Sequence, residues 1–256
     1  MLGAIVGDIV GSVHEFVATK TKDFPLLVPD ATFTDDTVLT VAVAEWILEG
    51  GDLVDVLHHY TAAFEGRSYG IRYFHWASRY AREPYHSFGN GSAMRVSPVG
   101  FAFDDLEEAL RWAERSAAVT HNHPEGIRGA QATAAAVLWA RQLRDKQEIR
   151  RRLTRRFGYD LEFTLEDIRP TYRFNETCQE TVPQALVAFL EASDYEDAIR
   201  NAVSLGGDAD TLACITGGIA EAFYGVPEEL SRQCVDRLDD RLVEVVQRFR
   251  TRFRLG

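Results

Sequence analysis

The segment from Thr37 to Glu49 reads TVLTVAVAEWILE and stops at the glycine pair Gly50-Gly51. It is rich in apolar residues, it has the length of a helix, and it ends on a helix-stop signal. The same grammar recurs on either side. Leu53 to Phe64 reads as a second helix. Leu106 to Val119 follows the acidic pair Asp104-Asp105 and places Leu106, Ala109, Leu110 and Ala113 at helical spacing. Pro124 opens another helix through GIRGAQATAAAVLWARQL, with proline at or near its first position. Gln147 to Phe157 is short and basic. Val182 to Ala192, Tyr195 to Leu205, Thr211 to Tyr224 and Ser231 to Phe253 complete the series, and Pro227-Glu228-Glu229 adds a further helix start. No segment alternates with period two in strand-like composition. The least helical region, about Gly158 to Thr181, reads as a long irregular connection in which a short hairpin is possible; such connections are often functional. With no repeat, low-complexity tract or Ser/Gly linker, the expectation is one all-α domain over residues 1–256.

Composition narrows the function classes. Hydrophobic residues make up 46% of the 256, enough for a sizeable core. Asp plus Glu number 39 against 28 Lys plus Arg, a net charge of −11, which argues against a general nucleic-acid binder. An anionic ligand held by local positive groups or metal ions remains compatible with that charge. Cys178, Cys214 and Cys234 are widely spaced and odd in number, so neither a disulfide framework nor a zinc site is expected, and a cytoplasmic location follows as the simplest reading. The apolar start from Met1 to Val13 has no basic lead and carries Asp8, unlike a signal peptide or a membrane span.

Two short acidic segments stand out. Thr34-Asp35-Asp36-Thr37 precedes one helix. Asp208-Ala209-Asp210-Thr211, behind Gly206-Gly207, opens another. One Asp or Thr per helix start is a cap; two Asp with a flanking Thr, twice, exceed that need. Four carboxylates brought together would repel unless a cation neutralised them, and carboxylate and hydroxyl oxygens suit Mg²⁺, Ca²⁺ or Mn²⁺. Decorated caps and a metal site are both open at this point. An EF-hand is excluded because Leu212 and Ala213 stand where Asp or Asn and Gly are required. No His-Asp dipeptide occurs, so the simplest signature of helical metal phosphohydrolases is missing. Gly3, Gly7 and Gly11 lie on one face of a helix, and the later helix offers Ala213, Gly217, Gly218 and Ala220. Close packing of these two helices would bring Asp8 and Glu15 near the Asp208 cluster. Gly89-Asn90-Gly91-Ser92 is either a plain turn or a loop presenting N–H groups to phosphates; no Lys follows as a P-loop requires.

Taken in order, these pieces resemble the ADP-ribosylglycohydrolase family, of the kind that includes the dinitrogenase reductase-activating glycohydrolase. They are GAIVGDIVGS at 3–12 with Glu15 shortly after, FTDDT at 33–37, GNGSAMR at 89–95, Thr120-His121 before an Ala-rich helix, and GGDADT at 206–211 leading to AFYG at 222–225. Each motif alone is weak; five in order are specific and span nearly the whole chain. The resemblance implies a compact all-α domain with a central cleft holding two divalent cations, Mg²⁺ or Mn²⁺. Thr34, Asp35 and Asp36 would supply one ligand group and Asp208, Asp210 and Thr211 the other, with Asp210 bridging. It implies hydrolysis of the glycosidic bond of an ADP-ribosyl group on an arginine- or serine-modified protein or a small compound. Glu15 matches a mobile catalytic glutamate, and the metal-bound carboxylates Asp36 and Asp208 join it in the implied catalytic set. Ser87, Phe88, Gly89, Asn90 and Gly91 match the loop that holds pyrophosphate and ribose, and His121 a histidine of the ADP-ribose pocket. The adenine-stacking aromatic is open among Phe88, Tyr85, Phe74 and Tyr172. The competing readings are a non-catalytic ADP-ribose or nucleotide binder, including a crystallin-like protein, and a helical phosphohydrolase; the full ligand set and the GNGS loop disfavour them.

Several residues have plainer readings. Cys178 is expected to be a buried structural thiol. His58, His59 and His75 are read as surface or core residues, His123 as part of a helix start, and Met94 and Trp139 as core. Arg95 is read as a structural ion pair ahead of a phosphate ligand. The run Arg150-Arg151-Arg152 with Arg155-Arg156 reads as a solvated helix face.

Overall fold

Capping residues set where the helices begin. In the computed structural model, which describes residues 1–255, α1 spans Leu2–Gly11 and α2 spans Asp35–Glu49. Thr34 caps α2 by accepting from Asp36 N–H, and Gly50 ends it at a φ of 76°. Asp52 caps α3 (Leu53–Ala63). Three shorter helices follow, α4 (Ile71–Ser78), α5 (Gly91–Met94) and α6 (Ser97–Ala102). Asp105, not Asp104, caps α7 (Leu106–Ala118). His123 accepts from Glu125 N–H at the start of α8 (Pro124–Leu143), so its place at a helix start holds. Asp145 caps α9 (Lys146–Phe157) and Thr164 caps the short α10 (Leu165–Ile168). The chain closes with α11 (Cys178–Glu191), α12 (Tyr195–Val203), α13 (Ala209–Tyr224), α14 (Glu228–Val235) and α15 (Asp240–Phe253). Among the described residues there is no strand, only one isolated bridge between Gly89 and Thr177. Among the described residues no helix is long and apolar enough to cross a membrane.

Helix α13 forms the axis of the core. Every residue from Ala209 to Ala220 is buried, so it must be covered on all sides. Helices α1, α8, α11 and α12 do this. The closest partner is α1, for a reason visible in its glycines. A Cβ on Gly3 would collide with Gly217 O, one on Gly7 with Ala213 O, and one on Gly11 with the Asp210 Cα. The two backbones touch where side chains would otherwise hold them apart.

Three sequence expectations need correction. Ser231 to Phe253 is not one helix. It breaks between Val235 and Asp240, where Asp239 caps α15 and Arg237 turns to donate to Val28 O at 3.0 Å. An Asp side chain that can cap competes with helix continuation. Helix α11 starts at Cys178 rather than Val182 and carries Pro183 inside it. Its first turn is pinned from outside, because Cys178 N–H donates to Phe88 O at 3.0 Å. Finally, α4, α5 and α6 arise where sequence periodicity is too short to register; α4 buries only Tyr73, Trp76 and Ala77. The region from Gly158 to Thr181 is irregular apart from α10 and the first turn of α11, and holds no hairpin.

Candidate metal centre and ligand cleft

Helices α2 and α13 start at the same place, at the C-terminal end of α1. Both acidic segments sit on helix N-termini, where the macrodipole favours negative charge. Gly206 and Gly207 have φ values of 66° and 78°, which turn the chain sharply into Asp208. One carboxylate oxygen each of Asp8, Asp36 and Asp210 lie within 4.8 Å of one another, and so do those of Glu15, Asp208 and Asp210. Asp210 belongs to both groups. Thr211 Oγ1 donates to Asp36 Oδ2 at 3.2 Å.

The electrostatics of this cluster are adverse without a counter-ion. Burial, then repulsion from neighbouring carboxylates, pushes Asp35, Asp36 and Asp210 well above the usual carboxylate range. Asp208 is raised by burial against the pull of its hydrogen bonds. Glu15 is pushed up to about 7, mostly by burial and then by Asp208, Asp8 and Glu176. Asp36 Oδ1 is buried with no hydrogen-bond partner, which a folded protein seldom tolerates. Hard oxygen donors, crowded charge and an orphaned oxygen suit a divalent cation, so these buried acidic residues could bind metal.

Asp8 has a use that the sequence did not reveal. Its carboxylate accepts from Thr34 N (3.0 Å), Thr34 Oγ1 (2.7 Å), Thr37 N (3.1 Å) and Thr37 Oγ1. Three of these four donors fall on Oδ2, so Asp8 organises the Thr34–Thr37 turn, while Oδ1 accepts only from Thr34 Oγ1. By giving its proton to Asp8, the Thr34 hydroxyl keeps lone-pair capacity.

Glu15, Asp35, Asp36, Asp208 and Asp210 line a cleft of about 330 Å³, within the usual range for small-molecule sites. Arg72, Arg95 and His121 line it too. All five loop residues from Ser87 to Gly91 line it. Ser87 is buried and accepts from Gly89 N–H at 3.1 Å. The Asn90 side chain is already engaged: its Nδ2 donates to Asp208 Oδ2 at 2.6 Å and to Thr181 Oγ1 at 3.2 Å. Asn90 thus ties the loop to the acidic cluster. Phe88 is 41% exposed, and Tyr85 also lines the cleft; Phe74 and Tyr172 do not. Phe174, 45% exposed, and Glu176 line it as well. Sequence reading did not single these two out, and the available signal was their place in the long irregular connection.

Arg95 departs from expectation. It is fully buried, yet among the described residues it forms no ion pair. Its Nη2 donates to Ser116 O (2.6 Å) and Thr120 Oγ1 (2.9 Å), while Nε and Nη1 have no partner. Cys178 is structural as expected. Its thiol donates to Gly89 O at 3.1 Å and burial pushes it up to about 12. A separate surface depression near Glu107 and Arg156 is open, and those two charges pair with each other.

Comparison with known proteins agrees with this arrangement. ADP-ribosylhydrolase ARH3 of Bos taurus is 27% identical over 319 aligned residues, covering 91% of this chain and 87% of that protein. ADP-ribosylarginine hydrolase Tri1 of Pseudomonas putida is 26% identical, covering 88% of this chain and 70% of that protein. A solved structure titled ADP-ribosylglycohydrolase-related protein complex superposes with a TM-score of 0.71, covering 99% of this chain and 96% of that one; at 24% identity it shows a shared fold. The family model described as ADP-ribosylglycohydrolase matches residues 1–255. The chain belongs to the ADP-ribosylglycohydrolase family.

Proposed function

We propose that this protein hydrolyses the glycosidic bond joining ADP-ribose to an acceptor, releasing ADP-ribose, with two divalent cations, Mg²⁺ or Mn²⁺. Thr34, Asp35, Asp36, Asp208, Asp210 and Thr211 would hold them, with Asp210 shared. The single observation that carries this reading is the orphaned, buried Asp36 Oδ1 inside two interlocking carboxylate groups at a ligand-sized cleft. When bound, the cations supply positive charge for sugar hydroxyls and lower the pKa of a bound water.

The chain's own residues do the rest. Glu15, whose carboxylate stands beside those of Asp208 and Asp210 in the cleft, can take a proton from an attacking water. The carboxylates of Asp36 and Asp208 place negative charge beside a reacting sugar carbon, where positive charge builds as the bond breaks. Ser87 to Gly91 and His121 line the same cleft, with Asn90 joining the loop to Asp208, and are assigned the rest of the ADP-ribosyl group. Two relatives are named as hydrolases of ADP-ribosyl groups, one of them specifically of ADP-ribosylarginine. The acceptor proposed here is accordingly a modified protein side chain, arginine or serine.

The test uses purified protein and an Asp210→Ala variant, incubated with arginine- and with serine-ADP-ribosylated proteins under Mg²⁺, Mn²⁺ or chelator. Released ADP-ribose is the readout. Release that requires both metal and Asp210 is the expected result, and substrate preference names the linkage. ADP-ribose binding without release would replace this reading with that of a binding protein.

A further inference from the structure

His121 is joined to Arg95 through a single hydroxyl. Thr120 Oγ1 lies 2.9 Å from Arg95 Nη2 and 2.7 Å from His121 Nδ1. A guanidinium can only donate, so the Thr120 oxygen accepts from Arg95. The hydroxyl has one proton of its own to place. Thr120 is fully buried, and among the described residues its hydroxyl has no contact other than these two. If His121 carried its proton on Nδ1, that nitrogen would donate to Thr120 as well, and the hydroxyl proton would be left without an acceptor in a dry site, a costly arrangement. The assignment that gives the hydroxyl proton an acceptor has Thr120 O–H donating to a bare Nδ1. The ring proton then sits on Nε2.

The position of Nε2 gives this tautomer a use. It makes no hydrogen bond among the described residues. It lies against the backbone of the cleft loop, where a Cβ added to Gly91 would stand 3.3 Å from it and one added to Gly89 3.6 Å. Larger residues at either glycine would crowd this nitrogen. Arg95 itself calls for an explanation, because a buried guanidinium without a carboxylate is expensive to maintain. Its positive charge lies beside His121 and opposes protonation of the ring, as Arg72 does more weakly, adding to the larger effect of burial.

We infer that Arg95 and Thr120 are positioning residues that lock His121 as a neutral imidazole with its proton on Nε2, a fixed hydrogen-bond donor aimed into the cleft at a phosphate oxygen of the ligand. The tautomer stands on the geometry alone; the identity of the ligand rests on the ADP-ribosyl reading above. His121 then serves binding and takes no part in proton transfer.

The experiment is ¹⁵N NMR of histidine-labelled full-length protein at neutral pH, with His121 assigned by its loss in His121→Gln. The nitrogen shifts separate a bare Nδ1 from a protonated one without any ligand. Wild-type protein and Thr120→Ser should show a bare Nδ1 and protonated Nε2. Thr120→Val, which keeps the shape and removes the hydroxyl, should release the lock and populate the other tautomer. It should also weaken ADP-ribose binding by calorimetry by about tenfold, the scale of one hydrogen bond to a charged group. In turnover it should raise KM by a similar factor and leave kcat within about twofold. A proton on Nδ1 in the wild type, an imidazolium at neutral pH, or an unchanged tautomer in Thr120→Val overturns the inference. The predicted tautomer in a protein that does not bind ADP-ribose would uphold the lock and overturn the ligand assignment.

Discussion

Asp8 and Glu15 show how differently two acids can be used a few residues apart. Asp8 accepts four hydrogen bonds from Thr34 and Thr37. Asp8→Asn turns an NH₂ group toward donors, leaving at least one of them unpaired. It should lower stability by about 2–3 kcal/mol, read by denaturant unfolding, and weaken cation binding because the Thr34–Thr37 turn loosens. Glu15 is only half-buried and has no such network. Glu15→Gln should cut kcat by about a hundredfold or more with ADP-ribose affinity nearly unchanged; equal losses in both would make Glu15 a binding residue. The raised carboxyls also set a pH dependence. Without cation, they bind protons more tightly folded than unfolded. For Glu15 that contribution to stability is fully present below the ordinary value of 4.5 and is lost as pH rises through the folded value of about 7; the raised aspartates act in the same direction. A divalent cation replaces those protons. The rise in Tm on adding Mg²⁺ or Mn²⁺ should therefore be small near pH 5 and larger near pH 7.5; an equal rise at both would separate cation binding from these groups. The acidic pairs were legible in the sequence because charge of one sign, repeated beside hydroxyls, exceeds what capping needs. The partners of Asp8 and Arg95 were not, since a hydrogen bond between Asp8 and Thr37 depends on where helices cross, not on spacing along the chain.

At the scale of elements, the contact of α1 with α13 matters most to the site. The glycine spacing in α1 announced a close approach, and the structure supplies its partner in Ala213 and Gly217. Gly7→Ala and Gly11→Ala both force the helices apart, but with different consequences. At Gly7 the added methyl meets Ala213 O within the core, and the result should be a loss of about 3 kcal/mol or more in thermal or denaturant melts. At Gly11 it meets Asp210 directly, so the Tm rise given by cation should shrink as well as Tm itself. A Gly7→Ala protein with unchanged Tm would mean the two backbones do not touch. Long helices such as α2, α8 and α13 were readable because many turns repeat one pattern. Helices α4, α5 and α6 were not, since one or two turns owe their existence to packing rather than to periodicity. The break between α14 and α15 was missed for a related reason: Asp236 and Asp239 are common on helix surfaces, and the turn there is fixed by the Asp239 cap together with the docking of Arg237 on the carbonyls of Val28 and Ala31.

For the molecule as a whole, the first and last helices both pack against other helices of the core. Helix α1 lies on α13, and α15 packs on α2. We therefore expect residues 1–256 to unfold as a single cooperative unit, with fluorescence and circular dichroism melting together; two separated transitions would divide the chain into independent parts. The basic run on α9 is partly paired locally. Arg151 and Arg152 pair with Glu148, and Arg156 pairs with Glu107. It fits a solvated face, in keeping with the overall charge of −11.

From the sequence alone came the helical class, through apolar runs ended by glycine and proline, and the acidic chemistry, through carboxylates too numerous for caps. Those properties are local, and neighbouring residues encode them. The cleft could only be decided in three dimensions. Its lining joins residues 15, 36, 208 and 210 with 72, 95 and 121. Burial and mutual repulsion, which raise the carboxyls and leave Asp36 Oδ1 without a partner, exist only once the glycine-faced helices bring those distant segments together.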